Sequence, residues 1–134
     1  MKKLKGSCLC GAVTFEVNDE FKQFQLCHCI QCQKSTGSGN ASNLLSSVKG
    51  ITWHSGEELI VRYDLEGRSI SNAFCGKCGS RVPYVSQSGE LLVTPAGLLD
   101  EAPTILPQGN IFWPERAEWY DQAALAKPYD KFIE

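Results

Sequence analysis

No stretch of this chain is apolar for long enough to cross a membrane. The most hydrophobic run, Leu91-Leu92-Val93-Thr94-Pro95-Ala96-Gly97-Leu98-Leu99, is about half the roughly 20 residues a spanning helix needs, and a proline interrupts it. An excess of charge is also missing: 13 basic side chains stand against 15 acidic ones, a formal net charge of −2. With no basic stripe, neither nucleic acid nor an anionic membrane is expected as the main partner. The opening residues Met1-Lys2-Lys3-Leu4-Lys5 are positive but lead into no apolar segment of the secretory kind, so the expected location is cytoplasmic. Internal repeats, low-complexity tracts and a convincing long helix are absent as well. What remains is a folded β-rich domain without an obvious polyanionic partner.

At 134 residues, with 43 % hydrophobic and 21 % charged side chains, the chain is expected to form one domain, 1–134, with a core over about 5–120. Val13, Phe15 and Val17 alternate with polar neighbours, the period of a half-buried strand that ends at Asn18-Asp19. Further strands are expected over 21–26, 41–48, 51–53, 59–63, 68–74, 82–85 and 91–94, about eight in all. Lys49-Gly50, Ser55-Gly56, Glu66-Gly67 and Ser88-Gly89-Glu90 read as the turns between them. Weak helical pattern occurs only at 31–35 and 115–126. Thr36-Gly37-Ser38-Gly39-Asn40 has the composition of a flexible loop. The tail from Pro103 is expected to be irregular and wrapped over the sheet, anchored by Ile111, Phe112, Trp113 and Trp119.

Against this background seven cysteines stand out, an odd number that suits no closed disulfide framework. They fall into three groups: Cys8 and Cys10; Cys27, Cys29 and Cys32; Cys75 and Cys78. In reducing cytosol such a set points to metal binding or thiol chemistry. The first and last pairs together supply the four sulfurs of a closed zinc site, and Cys75-Gly76-Lys77-Cys78-Gly79 has the spacing of a zinc knuckle. A redox pair at Cys75 and Cys78, or buried apolar thiols at Cys8 and Cys10, are the alternatives. The central three match the ligand count of a catalytic zinc with an open fourth position. Completion of a second structural site by His28 or His54 is the alternative there, although His28 alternates away from its cysteine neighbours and His54 reads as a solvated turn residue. Three thiolates give the metal a net charge of −1, which suits capture of a further thiol better than generation of hydroxide.

Gly6-Ser7-Cys8-Leu9-Cys10-Gly11-Ala12-Val13, Cys27-His28-Cys29-Ile30-Gln31-Cys32-Gln33-Lys34-Ser35-Thr36-Gly37-Ser38 and Phe74-Cys75-Gly76-Lys77-Cys78-Gly79-Ser80 resemble, in order, the three signature blocks of the glutathione-dependent formaldehyde-activating enzyme family, whose domain also occurs in centromere protein V. Ala96 to Asp100 and Ile111 to Trp119 resemble its C-terminal half. The resemblance implies a mainly β, Mss4-like fold of layered sheets (a β-tent) with little helix. It implies two Zn²⁺ per chain: a structural one on Cys8, Cys10, Cys75 and Cys78, and a catalytic one on Cys27, Cys29 and Cys32. It further implies a carbon–sulfur lyase that joins glutathione, or a similar small thiol, to formaldehyde as S-hydroxymethylglutathione. Lys34, with Ser35 and Thr36 beside it, is the candidate to polarise the oxygen or move a proton, and the loop Gly37 to Asn40 to close over the site. Family members commonly carry a basic pair after the central block; here Gln33 replaces its first member, which either weakens a carboxylate contact or is simply exposed. A non-catalytic zinc-binding interaction module of the same fold is the alternative reading.

Overall fold

The computed structural model describes all residues, Met1–Glu134. Ten strands and two short helices follow one another: β1 (Lys3–Ser7), β2 (Thr14–Asn18), β3 (Gln23–Cys27), α1 (Ile30–Thr36), β4 (Ala41–Ser46), β5 (Ile51–Ser55), β6 (Ile60–Asp64), β7 (Ser71–Cys75), β8 (Tyr84–Val85), β9 (Leu92–Pro95), β10 (Gly109–Ile111) and α2 (Tyr120–Ala123). They form an antiparallel sheet β1-β2-β5, a five-stranded sheet β10-β3-β4-β9-β8, and the hairpin β6-β7. The fold is thus mainly β, in layers, with little helix, as expected. No helix is long and apolar enough to cross a membrane.

The alternation in β2 places Phe15 and Val17 in the interior at 1 % exposure each, where they meet Leu4 of β1 and Leu92 of β9. Burying side chains of this size contributes about 1.5–3 kcal/mol each, and the contact with Leu92 joins the two larger sheets face to face. Eight strands lie where the hydrophobic pattern puts them, within a few residues. Two do not come from that pattern. β1 is Lys-Leu-Lys-Gly-Ser, in which only Leu4 and Gly6 turn inward; it exists because β2 offers it an antiparallel partner over its full length, from Lys3↔Asn18 to Ser7↔Thr14. β10 interrupts the tail expected to be irregular and pairs in parallel with β3.

The interior divides into three clusters rather than one. Cys8, Val13, Ala73, Cys75 and Val82 pack together where β1 and β2 meet the hairpin. Cys27, Cys29, Cys32 and Ala41 pack with Ile70 and Ile111 beside the larger sheet. Two of the three seams are therefore built around cysteines. With so few large side chains there, bound metal is a natural source of the missing cohesion.

Candidate metal centre

Cys8 follows β1 and Cys10 lies in the turn before β2, while Cys75 ends β7 and Cys78 lies in the turn after it. Gly11 and Gly79 close these turns at φ 78° and 77°, a region that glycine enters without strain. Leu9 N–H donates to Ser80 Oγ at 3.0 Å, tying one turn to the other. All four sulfurs come within 4.8 Å of one another. Cys8 Sγ is 3.6 Å from Cys10 Sγ, which is 3.9 Å from Cys75 Sγ. Tetrahedral zinc with bonds of about 2.3 Å needs sulfurs about 3.8 Å apart, whereas a disulfide needs about 2.05 Å. The donor set and its spacing fit a divalent metal, and no cysteine in the chain is paired in a disulfide. Backbone N–H groups of Val13 and Lys77 point at Cys8 and Cys75 at 3.3 and 3.4 Å, which stabilises thiolate charge. The Ser80 hydroxyl, with the Ser80 and Cys10 N–H groups, brings Cys78 down to about 5.

The second cluster is more compact in sequence. Cys27 ends β3, Cys29 is the N-cap of α1, and Cys32 lies in its first turn, its N–H donating to Cys29 Sγ at 3.3 Å. The three sulfurs also lie within 4.8 Å of one another, at residues 3 to 6 % exposed. Without a metal they share protons: the Cys32 thiol donates to Cys27 and brings it down to about 6 against the opposing effect of burial, while that same bond and burial push Cys32 up. No other side chain completes the cluster. His28 is fully buried yet aimed elsewhere, with Nε2 2.9 Å from Asn110 Oδ1 and its ring edge-on to Trp113 and Tyr120. His54 belongs to β5 rather than to a turn, half-exposed, with Nε2 3.3 Å from Glu16 Oε1.

The C-terminal segment forms a strap over this cluster. Ile111 packs on the cysteines, and Ile30 N–H donates to Glu115 Oε1 at 3.2 Å. Gln33 is neither a carboxylate ligand nor idle on the surface: its Nε2 donates to the carbonyls of His28 and Glu115 at 2.8 and 3.0 Å. The loop expected to be flexible is pinned by the same strap. A Cβ on Gly39 would stand 2.9 Å from Tyr120 Cδ1, and Asn40 Nδ2 donates to Tyr120 OH at 3.4 Å. Of the expected anchors, Ile111 is half-buried, Trp113 packs on His28, and Phe112 and Trp119 are mostly exposed. The Thr36 hydroxyl donates to Cys32 O at 2.7 Å, and that of Ser35 to the same oxygen at 3.3 Å, so both are committed to the helix. Lys34 is exposed and takes part in no ion pair.

Two clefts flank α1. One, of about 340 Å³, lies between the helix and the β6-β7 hairpin and is lined by residues that include Gln31, Lys34, Tyr63 and Ile70. The other, of about 380 Å³, lies toward the strap, with Gln33, Lys34, Ser38 and Trp119 among its walls. Ile70 belongs both to the first cleft and to the packing around the three cysteines. Sequence reasoning did not single out Gln31, Tyr63 or Ile70, because only the distant hairpin brings the last two to α1.

The chain is similar in sequence to a Halomonas elongata protein provisionally named a glutathione-dependent formaldehyde-activating enzyme, with 34 % identity over 82 residues, 58 % of this chain and 52 % of the relative. It thus spans about half the length of that relative. Its fold is similar to that of a Rhodobacter sphaeroides protein of known crystal structure, with a TM-score of 0.58 and 23 % identity, covering 79 % of this chain and 97 % of the other. The model of the family described as glutathione-dependent formaldehyde-activating enzyme matches residues 3–115, which include all seven cysteines and all ten strands. On that match the chain belongs to the glutathione-dependent formaldehyde-activating enzyme family.

Proposed function

We propose that the chain is a zinc-dependent carbon–sulfur lyase-type enzyme that reversibly adds glutathione, or a similar small thiol, to formaldehyde. The observation that carries this reading is the contrast between the two clusters. Four sulfurs converge at Cys8, Cys10, Cys75 and Cys78, the number a closed zinc site takes, but only three at Cys27, Cys29 and Cys32, where the Nε2 of neighbouring His28 is engaged by Asn110. Cys27, Cys29 and Cys32 would hold a zinc ion through their sulfurs, and such an ion would lower the pKa of a thiol that approached it.

The chain's own residues supply the rest. Lys34 lies two positions past Cys32, beside both clefts and free of carboxylate partners. Its ammonium is suited to take a carboxylate of the tripeptide, a charge-assisted contact that contributes about 1.5–3 kcal/mol. Gln33 and Glu115 keep the strap against α1, and Ile111 keeps water from the sulfurs. In the forward direction the thiol gives up its proton, a C–S bond forms to the carbonyl carbon, and the oxygen takes up a proton to become the hydroxyl of the adduct. No oxidant or reductant is required.

The burial of all three central sulfurs favours a second reading, a zinc module that serves structure or partner binding alone. The rate of adduct formation from glutathione and formaldehyde separates the two. The enzyme reading requires acceleration above the spontaneous reaction by the zinc-loaded protein and its loss in Cys32→Ala. Equal rates for wild type, variant and buffer would leave only the module.

A further inference from the structure

The three central sulfurs belong to residues only 3 to 6 % exposed, and neither cleft beside α1 has a cysteine among its walls. A thiol that is to meet them needs a passage, so a side chain packed on the cluster must give way. Two partly buried aliphatic side chains cover it, Ile111 and Ile70, and the chain holds them very differently.

Ile111 is fixed by the sheet. It ends β10, aligned in parallel with Cys27 of β3, and its carbonyl accepts from His28 N–H at 2.9 Å. A few residues beyond it, Glu115 accepts from Gln33 Nε2 and from Ile30 N–H, which fastens the strap to α1. Lifting Ile111 would break several of these bonds together.

Ile70 lies outside any strand, where the β6-β7 turn comes back to β7. That hairpin is pinned at one end, because Cys75 belongs to the four-sulfur cluster and packs with Cys8 and Val82. Toward the other end the last paired residues are Asp64 and Ser71, and Asp64 Oδ1 accepts from both the Ser71 hydroxyl and Arg62 Nε. Past that pair the ladder stops, and residues 66–69 are exposed. The Ile70 carbonyl accepts from Leu65 N–H and from Gln87 Nε2, each at 2.9 Å. Of the hydrogen bonds made by residues 65–70, the one from Gln87 alone reaches outside the tip. A turn with so few ties to the rest of the fold opens at low free energy while the sheets stay intact. On its far side Ile70 walls the cleft of about 340 Å³ between α1 and the hairpin, whose rim residues Ile30 and Tyr63 are exposed. The Ile70 side chain therefore stands as the partition between this open cleft and the buried sulfurs.

We infer that Ile70 controls entry to the three-sulfur cluster: when the Leu65–Ile70 tip swings away from Gln87, cleft and cluster become one space, and a small thiol reaches the sulfurs from the hairpin side rather than from under the strap. This rests on the thiol–carbonyl reading above and adds to it the path of entry and the side chain that limits the size of what passes.

Initial rates of iodoacetamide labelling of the zinc-loaded full-length protein, mapped by peptide mass spectrometry, read entry without reading catalysis. Cys8, Cys10, Cys75 and Cys78 serve as the internal reference for folding. Relative to them, Gln87→Ala is expected to speed labelling of Cys27, Cys29 and Cys32 by about 2–10-fold, the effect of one hydrogen bond lost from the closed state. Ile70→Ala is expected to speed it by more than about 10-fold, because the aliphatic side chain that closes the partition is removed. Gln33→Ala, which loosens the strap instead, leaves the central rates unchanged. Wild-type rates in both hairpin variants, or faster labelling in Gln33→Ala but not in Gln87→Ala, overturn the inference whether or not formaldehyde addition is accelerated. The expected labelling pattern, with no acceleration of formaldehyde addition by the wild type, supports the passage and overturns the thiol–carbonyl reading instead.

Discussion

Gln33 Nε2 lies 3.0 Å from the carbonyl oxygen of Glu115, a contact across 82 residues that fastens the C-terminal strap to the helix carrying Cys32. The same amide reaches His28 O at 2.8 Å, between two of the central cysteines. One neutral side chain therefore holds three pieces of the site in register, a task that an amide performs through two donors aimed at two carbonyls.

Replacing Gln33 by Ala should lower stability by about 1–3 kcal/mol, the sum of two ordinary hydrogen bonds. Urea unfolding of the zinc-loaded protein should show a lower midpoint with an unchanged slope. A midpoint within error of wild type would mean that the strap is held by other contacts.

The two metal clusters should respond differently to removal of one ligand. Cys75→Ser removes a sulfur from the seam that joins the hairpin to the first sheet, so the variant should lose tertiary structure or fold only marginally. A structural zinc contributes on the order of 10 kcal/mol of folding free energy in small domains. Cys32→Ser should stay folded, by near-ultraviolet circular dichroism, and bind one zinc fewer. A Cys75→Ser variant that keeps the wild-type near-ultraviolet spectrum, or a Cys32→Ser variant that loses it, would contradict the division of labour.

Gly56 and Gly67 both have positive φ, 79° and 76°, but only Gly56 is crowded. A Cβ at Gly56 would lie 2.2 Å from the Ala12 carbonyl oxygen and 2.8 Å from Val13 Cα, whereas nothing lies within 4 Å of one at Gly67. Gly67→Ala should cost about 1–2 kcal/mol from backbone conformation alone. Gly56→Ala should cost about 2–5 kcal/mol, since the clash adds to the strain. Similar thermal midpoints for the two variants would be inconsistent with this packing.

Asp19 gives a pH signature far from the metals. The Thr104 hydroxyl, assisted by the Thr104 N–H and the charge of Lys2 and opposed by partial burial, holds its carboxyl below the usual value of 3.8. Because the folded value is the lower one, the stabilisation is fully present above 3.8 and disappears as pH falls through the folded value. Thr104→Val should thus be less stable than wild type at neutral pH, with the gap narrowing below pH 3.8. A gap independent of pH would show that Thr104 acts only through packing.

How legible all this was depended on the range of the interaction. Cysteine spacing announced both clusters, because a metal demands sulfurs within one bond length of a common centre, and short knuckles achieve that locally. Alternation announced β2 through Phe15 and Val17, whose faces differ sharply. β1 was hidden by the lysines flanking Leu4, and β10 by its length of three residues; both depend on partners elsewhere in the chain. The strap contact of Gln33 and the apolar cleft were invisible for the same reason, since residues 63–70 meet α1 only after the hairpin has docked.

The central claim is that the three-sulfur site accepts a substrate thiol as its fourth ligand. X-ray absorption at the zinc edge reads the mean number of sulfurs at about 2.3 Å, which for one closed and one three-sulfur site is about 3.5 per zinc. Saturating glutathione should raise that mean to about 4, whereas Cys32→Ala, left with the closed site alone, should give about 4 with or without glutathione. A mean that stays at about 3.5 in the presence of glutathione would contradict the account.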